Sequence, residues 1–518
     1  MFYKKITALM LGIAILFSFS SCKSENNNKQ NNKTNSESAQ TKEMITLLYS
    51  AADGFNPYVV ETDINKNLLK LVFDPLVKLD NEFNPVCDLA KEATVEGKIC
   101  TVTLKEKLFS DGSYVTAKDV VYSYKLAKKS KTGYASRLYN VKSVEEVDEN
   151  TVKFTLKKQD KYAANLLIFP IIKAESEIKT NSDGVTLPPI GSGRFKVNTQ
   201  ADGLIANEKS GYKGSIKSVR LINAPDTEAV SHYAQIGAAD IYYSDISDGS
   251  LTRMTGEKQN INLNNMVYLG INQNNKHLEK NLLRQAISTA LDRSVICQNA
   301  YFNNAIAATG FFSPVWNETK SVQNIQNKTN KEITIENLEK IGYNRLDSDG
   351  IRMNEKGQKL KFSLLVNSNN SNRILLAELV KSQLKNFGIE ITIVKKSYKK
   401  YLEALKAGEF ELFIAEVKLT ENMDISSLVL PTGSAAYGLK ETSDKNGKTP
   451  LSSEAQVIKG FYNGKNTIAD IATVLQGQMP FVPLCYRTAT LFYNDKIENL
   501  NNSSECDIYF SIDSYIYY

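Results

Sequence analysis

Between Leu360 and Ile414 the chain switches repeatedly between two hydrophobic periods, and few folds accommodate that pattern. Leu360, Phe362 and Leu364 alternate in a strand that runs to Val366. Leu376, Leu379, Val380, Leu384 and Phe387 then share one face of a helix over 372–387, with Gly388 placed as its C-terminal cap. Ile389, Ile391 and Ile393 make a second strand. A helix over 397–407 ends at Gly408, and Phe410, Leu412 and Ile414 make a third strand. Strands joined by crossover helices lie parallel, so this β-α-β-α-β run predicts a parallel sheet with covering helices. Ligands of open α/β sheets sit beyond the carboxyl ends of the strands. Here those ends are Asn367-Ser368-Asn369 and the polar stretch from Glu416 to Glu421.

The earlier chain is richer in short strands and turns. Strands are expected at 44–49, 101–104 and 151–156, and a helix at 61–73. Thr116 and Asp119 have the spacing of a capping box, ahead of a helix that turns Val120, Val121, Tyr124 and Ala127 inward. Leu283, Ala286, Ile287, Ala290 and Leu291 predict one amphipathic helix over 281–301.

The N-terminus has its own signature. Lys4 and Lys5 precede an apolar stretch, Ile6 to Phe19, that is of signal-peptide length and short for a membrane span. It ends in Ser20-Ser21-Cys22, which resembles a bacterial lipobox, with Cys22 as the thiol that receives a lipid. Phe19 stands where Leu is usual. Residues 22–42 contain no Val, Ile, Leu or aromatic residue, so they are expected to be a disordered tether. They lack the apolar area to offset the entropy of ordering. Fully extended, such a leash reaches roughly 70 Å at ~3.5 Å per residue.

Several function classes are poorly supplied. The charge is mildly basic, +6 overall, with Lys and Glu interspersed and no basic stripe carrying aromatics, so nucleic acid is not an expected partner. Six cysteines at irregular spacing make neither a disulfide framework nor a zinc site. Free thiols are expected beyond Cys22, with a Cys87–Cys100 pair as the alternative. The two histidines, His232 and His277, are read as surface residues and do not supply His-based catalysis or a metal site. Asp347-Ser348-Asp349-Gly350 superficially suggests a calcium loop, but Arg345 and Lys356 stand where acids are needed, so a turn is expected. No H-E-x-x-H or G-x-S-x-G motif occurs. No enzyme activity and no cofactor are expected.

A series of motifs then resembles one family. Phe73-Asp74-Pro75-Leu76-Val77 is followed by Phe109-Ser110-Asp111-Gly112 and Thr116-Ala117-Lys118-Asp119-Val120. Pro189-Ile190-Gly191-Ser192-Gly193-Arg194-Phe195 comes next, then Tyr268-Leu269-Gly270-Ile271-Asn272 and Ala290-Leu291-Asp292-Arg293. Met479-Pro480-Phe481-Val482-Pro483-Leu484 closes the series. In this order they resemble the family 5 extracellular solute-binding proteins, which serve ABC importers for oligopeptides, dipeptides and nickel. Arg194 replaces the usual Pro of its element, so a looser loop is expected there.

The resemblance implies an α/β, two-lobed periplasmic-binding-protein-like fold of type II, with a hinged cleft between the lobes. Lobe I is expected at 43–267, completed by 486–518, and lobe II at 268–485. The crossings are expected near 268–272 and 484–487. Implied partners are an oligopeptide ligand, an ABC permease with its ATPase, and the membrane through Cys22, the receptor itself being a monomer. A nickel chelate, another small solute or a signalling peptide remains an alternative ligand.

In peptide-binding relatives an Asp holds the ligand ammonium. The matching position here is Thr420, with Glu421 and then Asp424 as replacements. Other expected cleft residues are Phe55, Asn56 and Tyr58, together with Asn272, Trp316, Glu416, Lys418, Tyr437 and Arg487. Three of these carry alternatives: Trp316 as a packed aromatic, Lys418 as an ion-pair partner of Glu416, and Arg487 as a brace of the hinge.

Overall fold

Two strands, each too long for a single core, organise the molecule. Glu257–Ile271 and Phe481–Tyr493 run antiparallel to one another. On the first, Ile261 and Leu263 belong to one hydrophobic core and Met266 to Ile271 to a second. On the other, Phe481 to Tyr486 belong to the second core, and Ala489 and Leu491 to the first. The ladder breaks where the cores change. Asn262 pairs with Thr488, but the next pair is Met266 with Tyr486, so Leu263, Asn264 and Asn265 bulge from the register.

The structure is a computed structural model. It describes residues 41–182, 184, 186–247, 249–250, 252–322, 329–430, 432–440 and 452–518. The leader 1–21, Cys22 and the tether as far as residue 40 lie outside the described residues. Thr41–Tyr518 form one compact unit. Lys42, assigned to the tether, is already paired: its amide donates to the Tyr517 carbonyl at 2.6 Å.

The first core fills the space between two four-stranded sheets. One joins Met44–Tyr49 in parallel to Ser218–Asn223, then Gly203–Ala206 and Phe195–Val197. The other is antiparallel, in the order Ala90–Glu96, Ile99–Leu104, Thr151–Leu156, Val141–Asp148. The C-terminal residues Ile508, Tyr509, Ile512 and Tyr515 return to this core.

The second core lies against the parallel set Leu412–Lys418, Lys361–Asn367 and Glu390–Lys396, with Lys361–Asn367 in the middle. Helices Ser371–Lys385 and Tyr398–Ala407 are the crossovers. Gly388 and Gly408 take the left-handed conformation that ends each helix. Gly270 permits close packing here, because a Cβ on it would lie 2.0 Å from the Phe413 ring.

Several expectations are corrected. The helix over 281–301 is two helices, Asn281–Ala290 and Arg293–Tyr301. Asp292 breaks it by accepting the amides of Ser294 and Val295 as a new N-cap. The buried Arg293 guanidinium donates to the Ser288 and Leu291 carbonyls at the break. The helix over 61–73 shrinks to Asp63–Leu68 with a tighter turn, Leu69–Leu71. His277 is half-buried, and its Nδ1 bonds the Tyr343 hydroxyl at 2.6 Å.

Arg194 does not loosen its loop. It donates twice to Asp507, at 2.8 and 3.0 Å, and once to the Tyr509 carbonyl, tying the loop to the C-terminal segment. Asp347 to Gly350 is a turn, with Asp347 accepting the amides of Asp349 and Ile351. Cys87, Cys100, Cys297, Cys485 and Cys506 are free thiols.

Candidate functional site

The bulge at Leu263–Asn265 opens onto a cavity of about 430 Å³ between the two cores. Asn264 and Asn265 form part of its wall. Helix Asp63–Leu68 and the turn after it supply Asp63, Lys66, Asn67 and Lys70. Tyr134 and Arg137 come from the short helix Tyr134–Arg137, and Glu505 and Cys506 from the C-terminal segment. The second core contributes Glu416, Lys418 and Glu421 from the end of its third parallel strand and the loop beyond. The lining therefore carries both signs of charge beside apolar residues such as Phe73, Phe83 and Ile168, and is drawn from both halves of the molecule.

A second cavity of about 600 Å³ shares Asp63, Asn67, Tyr243, Asp245 and Ser247 with the first, so the two are neighbouring chambers with a common wall. Its described lining includes Glu61, Asp63, Asp226 and Asp245 and no Lys, Arg or His.

Most charges at the first cavity are paired. Arg487, only 2% exposed, holds Glu416 at 2.9 Å and also holds Asp245. Arg373 meets the same Glu416 carboxylate. Burial opposes the charge on Glu416, but Arg373 and Arg487 outweigh it and hold its pKa below the usual value. Lys418 pairs with Glu505, not with Glu416. Arg137 Nε meets Glu421 Oε1 at 2.9 Å, and the Glu421 charge raises the already high pKa of Arg137. Glu421 Oε2 is buried with no hydrogen-bond partner. Burial lifts the Tyr134 hydroxyl to about 12.

Of the residues expected in the cleft, Glu416, Lys418, Glu421 and Arg487 line this cavity. Thr420 and Asp424 do not line it and lie instead in a seam between the halves. The Thr420 hydroxyl donates to Asn422, whose amide donates to Asp160 at 2.7 Å. Asp424 accepts from the Tyr139 hydroxyl and the Ser426 amide. Asn165 adds a bond to the Glu421 carbonyl at 3.2 Å.

Tyr58 stands behind Tyr134, their rings 6.2 Å apart edge to face, with its own hydroxyl given to the Pro170 carbonyl. Phe55 stacks on Tyr49 within the first core, and the Asn56 side chain caps the Tyr58 amide.

The remaining three lie away from the wall. Asn272 donates to the Phe410 carbonyl at 2.9 Å and shapes a turn. Tyr437 packs edge-on against Phe413. Trp316 is 3% exposed in the second core, against Phe312 and Phe461, and touches Tyr162 at 5.4 Å between ring centres. Asn367, Ser368 and Asn369, at the end of the middle parallel strand, do not line the cavity either. Among the wall residues that the sequence did not reveal are Lys70, Arg137, Asp245 and Glu505. They come from four distant segments, and none sits in a motif that marks it.

Comparison with known proteins bears on this cavity. A family model described as bacterial extracellular solute-binding proteins, family 5 Middle, matches residues 84–435. The oligopeptide-binding protein AppA of Bacillus subtilis (strain 168) is 28% identical over 418 residues, 75% of this chain and 76% of its own. The structure of AppA from Bacillus subtilis in complex with a nonapeptide aligns with a TM-score of 0.56 and 20% identity, over 92% of this chain and 100% of its own. NikZ from Campylobacter jejuni in complex with Ni(L-His) aligns with a TM-score of 0.58 and 18% identity, over 91% of this chain and 99% of its own. At such identities these two structural matches show a shared fold.

Proposed function

Because this chain belongs to the bacterial extracellular solute-binding proteins of family 5, and so is a solute-binding receptor of an ABC importer, we propose that its solute is a peptide held in the cavity between its two halves. The observation that carries the reading is the cavity wall. It offers carboxylates, ammonium groups and amides from both cores around one space. A peptide needs that mixture, since it presents an ammonium, a carboxylate and a row of backbone donors and acceptors. The adjoining second chamber gives an extended ligand room to continue. That AppA binds oligopeptides agrees with the choice.

In this reading residues 43–267 with 486–518 form lobe I and 268–485 form lobe II. The long strands Glu257–Ile271 and Phe481–Tyr493 are the hinge, and the seam at Glu421–Asp424 parts when the lobes open. Closure makes affinity depend on contacts that exist only in the shut state. Glu421 is the anchor for the ligand ammonium. Its Oε2 has no partner, whereas Asp424 is already occupied by Tyr139 and Ser426. The receptor performs no chemistry on what it binds. It releases the peptide to its permease and stays at the membrane through a lipid on Cys22.

Isothermal titration with short peptides tests the ligand class. Saturable binding of unmodified peptides is the expected result, and heat only from a nickel–histidine chelate would replace the peptide by a metal complex. The anchor at Cys22 is checked by fractionation: Cys22→Ser should move the protein out of the membrane fraction. Persistence of that variant in the membrane excludes the lipid.

A further inference from the structure

Lys70 is the cavity-wall cation with no carboxylate within ion-pair distance among the described residues, the charges of Glu505 and Asp507 reaching it only from further off. Lys66 has Asp63, Lys78 has Asp88 and Asp507, Arg137 has Glu421, Lys418 has Glu505, and Arg487 has Asp245 and Glu416. The Lys70 ammonium instead donates to two neutral oxygens, Asn67 Oδ1 at 2.7 Å and the Glu505 carbonyl at 2.5 Å. An ammonium has three donors, so one is left over.

The fold forces this arrangement. Lys70 sits in the tight turn Leu69–Leu71, whose Leu69 and Leu71 are buried in the first core, so its backbone is held at the cavity wall. The carboxylate of Glu505, the nearest acid in sequence to its carbonyl partner, is taken by Lys418. A half-buried ammonium without a carboxylate carries a desolvation cost that a bound anion relieves. Burial is the largest influence on Lys70, and it lowers its pKa.

We propose that Lys70 receives a carboxylate of the bound solute, and that this receptor therefore selects ligands with a free carboxylate at that end of the cavity. The inference rests on the peptide reading above and adds polarity to it. The ligand lies with a carboxylate toward Lys70 and its ammonium toward Glu421. The carboxylate has two possible sources, the C-terminus of the peptide or an acidic side chain.

The test is titration of the full chain with tri-alanine, tri-alanine C-terminal amide, and Ala-Ala-Glu C-terminal amide. Wild type is expected to bind tri-alanine about ten-fold to a hundred-fold more tightly than its amide, the range for one charge-assisted hydrogen-bonded contact. Recovery of affinity by the glutamyl amide assigns the site to an acidic side chain as well, and no recovery assigns it to the C-terminus. Lys70→Met should remove the discrimination, while Lys70→Arg should keep most of it. If Lys70→Met unfolds, as circular dichroism would show, the wild-type acid-against-amide ratio and the Lys70→Arg variant still decide. Equal affinity of wild type for acid and amide overturns the role of Lys70 and leaves the peptide reading standing. Binding of none of the three overturns the peptide reading and this inference with it.

Discussion

Arg137 and Glu421 meet at 2.9 Å across the cavity, one on a helix beside the first core and the other on the loop that follows a strand of the second. The contact has two consequences. It draws the halves together beside the cavity, and it occupies only one of the two Glu421 oxygens. A ligand ammonium at the other oxygen joins an existing charge pair and is not stranded as an isolated cation.

Glu421→Gln keeps the shape and removes the charge. Affinity for peptides with a free N-terminus should fall by about ten-fold or more, the equivalent of ~1.4 kcal/mol, while N-acetylated peptides should bind weakly to both forms. Asp424→Asn should have the smaller effect. The reverse order, measured by titration, moves the anchor to Asp424.

Trp316 is the only tryptophan, and its ring neighbour Tyr162 lies in the segment that carries Asp160, a partner in the seam. In the two-lobe reading proposed above, opening of the seam would separate the two rings. Peptide addition should therefore change Trp316 emission, and Tyr162→Ala should abolish most of the change without abolishing the tryptophan signal. An identical response in Tyr162→Ala places the reporter contact elsewhere.

Asp507 is buried between Arg194 and Lys78. Burial opposes its charge, but the two cations outweigh it and hold its pKa below 3.8. A carboxylate depressed on folding stabilises the fold fully above its unfolded value and loses that contribution as pH falls through the folded value. Urea unfolding should show this contribution intact at pH 6 and eroding below about pH 4. Asp507→Asn should cost roughly 3–5 kcal/mol at neutral pH, because it leaves the buried Arg194 without its carboxylate and Lys78 with Asp88 alone. A loss under ~1 kcal/mol at neutral pH would mean the cluster is not a stabilising one.

Gly191 and Gly193 let a loop lie directly on the backbone at Val72. A Cβ at Gly191 would fall 2.1 Å from the Val72 carbonyl, and one at Gly193 would fall 2.5 Å from the Leu71 carbonyl. The obstacles are backbone atoms and cannot rotate away. Either Ala substitution should destabilise by at least ~1–3 kcal/mol in thermal or urea unfolding. An unchanged midpoint would show that the loop can lift from Val72.

How far the sequence could be read depends on whether a feature is local. The capping box at Thr116 and Asp119, with the Asp119 carboxylate 2.9 Å from the Thr116 amide, needs only four consecutive residues. The parallel run from Lys361 to Lys418 follows from hydrophobic period and length. The break at Asp292 was hidden because the apolar spacing continues through it, while the decisive partners of Arg293 are carbonyls. Arg194 is misleading for the same reason: its effect depends on Asp507, more than three hundred residues later and outside any local window. Lys70 and Arg137 reach the cavity only through tertiary packing, and nothing near them in sequence sets them apart from other surface cations.

Native mass spectrometry of the protein purified from a peptide-rich medium tests the central claim most directly. The account predicts bound masses that dissociate as a set of short peptides, each carrying a free carboxylate. A single non-peptide mass, a metal chelate, or a cavity that stays empty when peptides are added would contradict it.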